Sequence, residues 1–158
     1  MPTIHVTRDL AVPANRAWAL LADFANIHLW NPNLAGSTHQ GGPVCGVGAT
    51  RRCDLADGKN SIVERVVEWQ EGRSYTVEVV EGTMPVVDAR VTLAVEPTPD
   101  GGSRGTITMS YRPKPGLHWQ LAEPIALRPM MRHMLGKVLF GLAERASSST
   151  TAASSSAA

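Results

Sequence analysis

The chain has 158 residues, 43% of them hydrophobic and 18% charged, which is enough apolar material for one folded domain with a sizeable core. Its 15 basic and 14 acidic residues leave a formal net charge of +1. That near balance argues against a dedicated nucleic-acid binder, whose basic excess gathers on one face. No stretch approaches the roughly 20 apolar residues of a membrane span, so stable membrane insertion is not expected. The opening MPTIHVTRDL lacks a signal-peptide pattern, and Cys45 and Cys53 do not make a disulfide framework. These readings point to the cytoplasm.

Residues 3–12 alternate, with Ile4, Val6, Leu10 and Val12 on one face, the period of a half-buried strand. Pro13 stops that strand and can open a helix, since proline lacks only a donor that the first turn does not use. Ala14 to Ala22 then read as a short helix whose apolar stripe is Ala17, Trp18, Leu21 and Ala22. Asp23 is placed to cap a second short helix running to about Leu29, before Pro32. From Leu34 the period switches to two. Strands are predicted at 34–40, 48–55, 60–70, 73–81, 86–96 and 104–113, with turns at Asp57-Gly58, Glu71-Gly72 and Pro99-Asp100-Gly101-Gly102. Consecutive strands joined this way make an antiparallel meander that curls as its twist accumulates.

After Lys114-Pro115-Gly116 the spacing of Leu127, Met131, Met134, Leu135, Val138, Leu139 and Leu142 predicts a long helix, regular from about Pro129 and broken before it by Pro124. Phe140 and Met130 fall off its main stripe. Residues 146–158 hold only Ala, Ser and Thr, and are expected to be a disordered tail after a single domain over 1–145.

Signatures of several chemistries are missing. The sequence has no CxxC, HExxH or GxSxG, and its histidines lack ligand spacing. The glycine-rich run from Gly41 to Gly48 has no GK[ST] ending and leads into a strand rather than a helix, so it reads as a hairpin loop. No metal, nucleotide or other cofactor is expected.

The element order of strand, two short helices, six strands and a long helix is the helix-grip arrangement, an α+β fold in which a curved seven-stranded antiparallel sheet wraps a C-terminal helix. Local text agrees with it. Val12-Pro13-Ala14, Trp18, Asp23-Phe24 and Trp30-Asn31-Pro32, then Glu64-Arg65-Val66, Gly82-Thr83-Met84-Pro85-Val86 and Lys114-Pro115-Gly116, together resemble the polyketide cyclase/dehydrase-like branch of the SRPBCC (START/Bet v 1-like) superfamily. The resemblance runs from about residue 3 to residue 145. It specifies a fold more than a function, since that superfamily hosts cyclases, lipid carriers, hormone receptors and co-chaperones.

A strongly curved sheet cannot close on one helix along its whole length, so the arrangement predicts an apolar cavity of roughly 300–1,000 Å³. Strand alternation aims Cys53, Leu55, Tyr75, Val77, Val91, Leu93, Ile107, Met109 and Tyr111 inward, with Met131 and Leu135 facing them from the helix. The resemblance sets Trp30 where relatives place a residue against the ligand, so it is either a ligand contact or a core tryptophan, and implies that Glu64 matches a glutamate which, in related plant hormone receptors, points into the cavity and holds water. Glu64 shares a face with Ile62 and Val66; it is either a buried acid or base, or a solvent-facing partner of a cross-strand arginine. Arg51 shares the parity of Cys53 and either binds an anionic ligand group or reaches out to water. Tyr75 and Tyr111 either orient a ligand oxygen or are amphipathic core tyrosines. His118 and Trp119 either gate the cavity mouth or form a surface loop.

Three functions follow, in this order. The first is a carrier or binder of a small hydrophobic molecule (a lipid, quinone, isoprenoid or polyketide), as a monomer or weak homodimer. The second is a cyclase- or dehydratase-type enzyme using Glu64 as acid or base with Tyr75 or Tyr111 polarising a carbonyl. The third is a co-chaperone-like interaction module presenting Phe140 and Met130.

Overall fold

The computed structural model describes the backbone of residues 1–156 and the side chains of residues 1–148. Seven strands form one antiparallel sheet: β1 Thr3–Leu10, β2 Leu34–Gly41, β3 Thr50–Leu55, β4 Ser61–Gln70, β5 Ser74–Gly82, β6 Val86–Pro97 and β7 Ser103–Pro113. Their spatial order is β1-β7-β6-β5-β4-β3-β2, so β2 through β7 follow the chain and β1 returns to pair with β7. Between β1 and β2, helix α1 (Ala14–Ala22) and a 3₁₀ helix (Phe24–Leu29) carry the chain from one edge of the sheet to the other. These are the elements that the alternation and the turn glycines predict, with boundaries moved by one or two residues. The curved antiparallel sheet and long C-terminal helix are the helix-grip fold.

Curvature has an identifiable source. Register shifts interrupt the β4–β5 ladder at Val63/Glu64 and Val66/Glu68, and the β6–β7 ladder at Val87/Arg90, where Asp88 takes a left-handed φ of 51°. An extra residue in one strand bends it and strengthens the local twist. At the glycine-rich loop, Gly42 (φ +73°) lies so close to the Gly48 carbonyl that a Cβ would collide with its oxygen, so that turn requires glycine.

Asp23 does not cap the 3₁₀ helix: its carboxylate accepts instead from the Asn26 side-chain amide at 3.0 Å. The broken approach to the last helix is present, as helix α2 (Leu117–Ala122) followed by a wide π-type turn over Glu123–Leu127 and then α3 from Arg128. Helix α3 continues to Ser156, whereas the sequence predicts disorder from residue 146; residues 157 and 158 lie outside the described residues. The beginning of this extension has local support: Ala146 is buried and extends the apolar stripe of the helix, and the Ser148 hydroxyl donates back to the Glu144 carbonyl at 2.9 Å.

Helix α3 packs against β1, β7 and α1. One point along it is fixed by a close backbone approach. A Cβ on Gly141 would collide with the Trp30 carbonyl oxygen, so a glycine is needed where the end of the 3₁₀ helix meets α3.

Candidate functional site

The space between sheet and helix divides into two halves. One is solid. Trp18 from α1, Phe24 from the 3₁₀ helix, Trp69 from β4 and Tyr75 from β5 form an aromatic cluster with ring centroids 5.2 to 6.4 Å apart, Trp69 and Tyr75 being stacked at 13°. Such rings fill a large volume with few side chains. The other half holds a cavity of about 600 Å³ between β3–β7 and α3, with further walls from residues 27–34. Its surface is mostly aliphatic, including Leu55, Val91, Leu93, Ile107, Met109, Met131 and Leu135.

Alternation predicts which residues point inward, and the aromatic plug decides which of those meet empty space. On β5, Tyr75 and Val77 lie fully buried in the filled half, and Val79, two positions on, lines the cavity. Trp30 is buried away from the cavity, its backbone fixed against α3. Tyr111 turns instead to the approach of the last helix. Thus Arg51, Cys53, Leu55, Glu64, Val91, Leu93, Ile107, Met109, Met131 and Leu135 share the cavity wall, whereas Trp30, Tyr75, Val77 and Tyr111 do not. Ile62 and Val79 line it as well and have the parity of Glu64 and Val77, so alternation was able to find them. Asn31 also lines it, carried by a turn that no periodicity signals. His118 and Trp119 sit on α2, pack on each other at 5.1 Å and do not reach the cavity. Off the main stripe of α3, Phe140 is half exposed beneath Arg8, whose guanidinium carbon is 5.2 Å from the ring centroid; Met130 is also exposed.

At the boundary between the two halves stands an ion pair. Arg51 and Glu64 are directly opposite across β3 and β4. The arginine donates from Nε (2.8 Å) and holds Nη2 at 2.7 Å, both to the same Glu64 oxygen, Oε2. Its Nη1 donates to the Phe24 carbonyl at 2.8 Å, and its guanidinium carbon lies 4.0 Å from the Phe24 ring centroid. Burial disfavours the charged guanidinium, but the Glu64 carboxylate beside it, with help from Tyr75, holds its pKa above the usual arginine range. The Cys53 thiol is 3.9 Å from the same Oε2; burial foremost, and then the neighbouring carboxylate, push its pKa up to about 12. A thiol held protonated in this way is a small core residue and not a nucleophile.

Tyr75 stands behind the pair, 5.9 Å from the guanidinium carbon to its ring centroid. Burial raises its pKa while Arg51 pulls the other way, and its hydroxyl makes no hydrogen bond among the described residues. Tyr111 differs: it donates to Glu123 Oε1 at 2.8 Å, and Arg128 donates to both oxygens of the same carboxylate at 2.9 and 3.2 Å. Burial, then that hydrogen bond, raises the Tyr111 pKa to about 12.

Comparison with known proteins agrees with this architecture. A Thermus thermophilus protein, TTHA0849, superposes with a TM-score of 0.78 at 19% identity over 94% of this chain and 99% of its own. A Thermobifida fusca protein gives 0.72 at 27% identity, covering 92% and 93%. Ara h 8.0201 gives 0.73 at 15% identity, covering 93% and 98%. No curated protein matches the sequence. No helix among the described residues is long and apolar enough to cross a membrane. The model of one family, described as polyketide cyclase / dehydrase and lipid transport, matches residues 1–147, and with the helix-grip fold around an apolar cavity this establishes that the chain belongs to that SRPBCC-type family.

Proposed function

We propose that this protein binds and carries a small hydrophobic molecule (a lipid, quinone, isoprenoid or polyketide-like compound) in the cavity under α3, as a cytoplasmic monomer or weak dimer. The observation that carries the reading is the cavity itself: about 600 Å³ with a mostly aliphatic wall, within the range of small-molecule sites. A core without a guest to accommodate closes to near-crystalline packing density and leaves few voids larger than a water. The family description, which pairs cyclase and dehydrase activity with lipid transport, supports the same class of ligand.

A carrier role is favoured over catalysis by the position of the polar groups. The two tyrosines available to polarise a carbonyl stand off the cavity wall, and the thiol is held protonated. Native mass spectrometry of protein purified from its own host tests the proposal. A co-purifying hydrophobic compound, released on unfolding, is the expected result. An empty protein that also fails to bind a neutral apolar dye overturns it.

A further inference from the structure

The ion pair at the cavity wall has a direction, and the direction selects a ligand. Among the described residues, every hydrogen bond and ion pair of the Glu64 side chain falls on one oxygen: Arg51 Nε, Arg51 Nη2 and the Cys53 thiol all meet Oε2. Oε1 has no hydrogen-bond partner among the described residues. The arginine side chain is only 2% exposed, shielded by the Phe24 ring, whereas that of the glutamate is 10% exposed and lines the cavity. Both side chains reach the cavity wall, but the cation is the more deeply buried of the two and is committed to Glu64 and Phe24, so the free valence offered to a guest is the Oε1 acceptor with its lone pairs.

Resting on the hydrophobic-carrier reading, we propose that the ligand is a hydrophobic alcohol or phenol whose hydroxyl donates to Glu64 Oε1, and that fatty-acid-like carboxylates are disfavoured. Three comparisons lead there. A pure hydrocarbon displaces water from Oε1 and leaves a buried carboxylate oxygen without a donor, a loss that grows in an apolar site. An ionised carboxylate brings a like charge to within contact of Glu64, while the guanidinium that would attract it already has its charge balanced by Glu64 and a donor on each nitrogen committed to Glu64 or Phe24. A hydroxyl supplies a donor without bringing a charge out of water, which an ammonium group would have to do. Hydrogen bonds to a charged acceptor are also shorter and stronger than neutral ones.

The test is displacement of Nile red, a neutral dye without a donor, by dodecanol, methyl dodecanoate and dodecanoate, at a mildly alkaline pH where the acid is ionised. We expect dodecanol to compete at a concentration about tenfold or more below either of the others, a typical gain for one charge-assisted hydrogen bond. In the double variant Arg51→Met/Glu64→Leu, with its fold checked by circular dichroism and its own dye affinity measured first, the difference between alcohol and ester should disappear. If the three compounds compete equally with bound dye, or dodecanoate competes best, this inference fails and the carrier reading stands. If neither dye nor any twelve-carbon probe binds, the carrier reading itself fails. Should the double variant not fold, the wild-type ranking decides alone.

Discussion

Two clusters in this molecule use the same three residue types in opposite ways. Arg51, Glu64 and Tyr75 meet at the boundary between the cavity and the aromatic cluster; Arg128, Glu123 and Tyr111 meet where the chain approaches α3. In the first, the cation is nearly fully buried, the carboxylate lines the cavity with one oxygen unbonded, and the tyrosine hydroxyl has no partner among the described residues. In the second, the arginine side chain is 44% exposed, that of the carboxylate is 9% exposed and accepts on both oxygens, and the tyrosine hydroxyl is one of its donors. The second cluster is saturated and fastens the broken approach of the last helix to β7. The first retains acceptor capacity. Composition alone does not distinguish a fastening from a binding group; the free valences do.

The sharpest way to break this comparison is to remove the buried cation. Arg51→Met leaves the Glu64 carboxylate at a desolvated position with no counter-charge, and an orphaned buried charge typically costs about 3–5 kcal/mol. Equilibrium urea unfolding should show that loss in single Arg51→Met protein and much less of it in Arg51→Met/Glu64→Leu, where both charges are gone. Arg128→Met should lose far less than Arg51→Met, because water reaches the Arg128 side and Glu123 keeps Tyr111. Equal losses at the two arginines would remove the distinction between the clusters.

A second comparison sets the cavity against the solid core. Leu142 and Leu135 lie on the same stripe of α3, but Leu135 lines the cavity and Leu142 does not, the former being 9% exposed and the latter 1%. Truncating a close-packed leucine to alanine costs about 2–5 kcal/mol, part of it from the new void. Leu142→Ala should fall in that range. Leu135→Ala, and likewise Leu93→Ala, should fall below it, since each already faces open space on one side. Matching losses, measured by the same unfolding experiment, would mean that the cavity is filled in solution.

These contrasts also mark what was legible beforehand. The seven strands were readable because period-two alternation and turn glycines are local signals: Val91/Leu93/Val95 on β6 and Ile107/Met109/Tyr111 on β7 point inward as their spacing requires. Whether an inward residue meets a ligand or a neighbour was not readable. That depends on where Trp18 and Phe24 are delivered by helices distant in sequence from Trp69 and Tyr75, and no periodicity within one strand reports it. For the same reason a cross-strand arginine was readable as a partner of Glu64, but neither its identity as Arg51 nor the burial of the pair was, since only the β3–β4 register sets these two opposite one another.

The smallest expected effects separate the two tyrosines. Tyr111→Phe removes one donor from a carboxylate, and hydrogen bonds to charged groups contribute about 1.5–3 kcal/mol. Its pH dependence has a definite sign. Hydrogen bonding from Arg128, and to a lesser extent from Tyr111, lowers the Glu123 pKa against the opposing effect of burial. A carboxylate whose folded pKa lies below its unfolded value contributes stability above the unfolded pKa and loses it as pH falls through the folded one. The Tyr111→Phe deficit should therefore be full at neutral pH and shrink under acid, as protonation of Glu123 removes the charge that the hydroxyl serves. Tyr75→Phe should change stability by less than about 0.5 kcal/mol at any of these pH values, because a hydroxyl without a partner has no hydrogen bond to lose and its removal relieves a desolvation penalty. A loss at Tyr75 as large as that at Tyr111 would show that its hydroxyl is bonded in solution, through a bound water or a closer Arg51, and the contrast between a saturated cluster and an open one would then have to rest on Glu64 Oε1 alone.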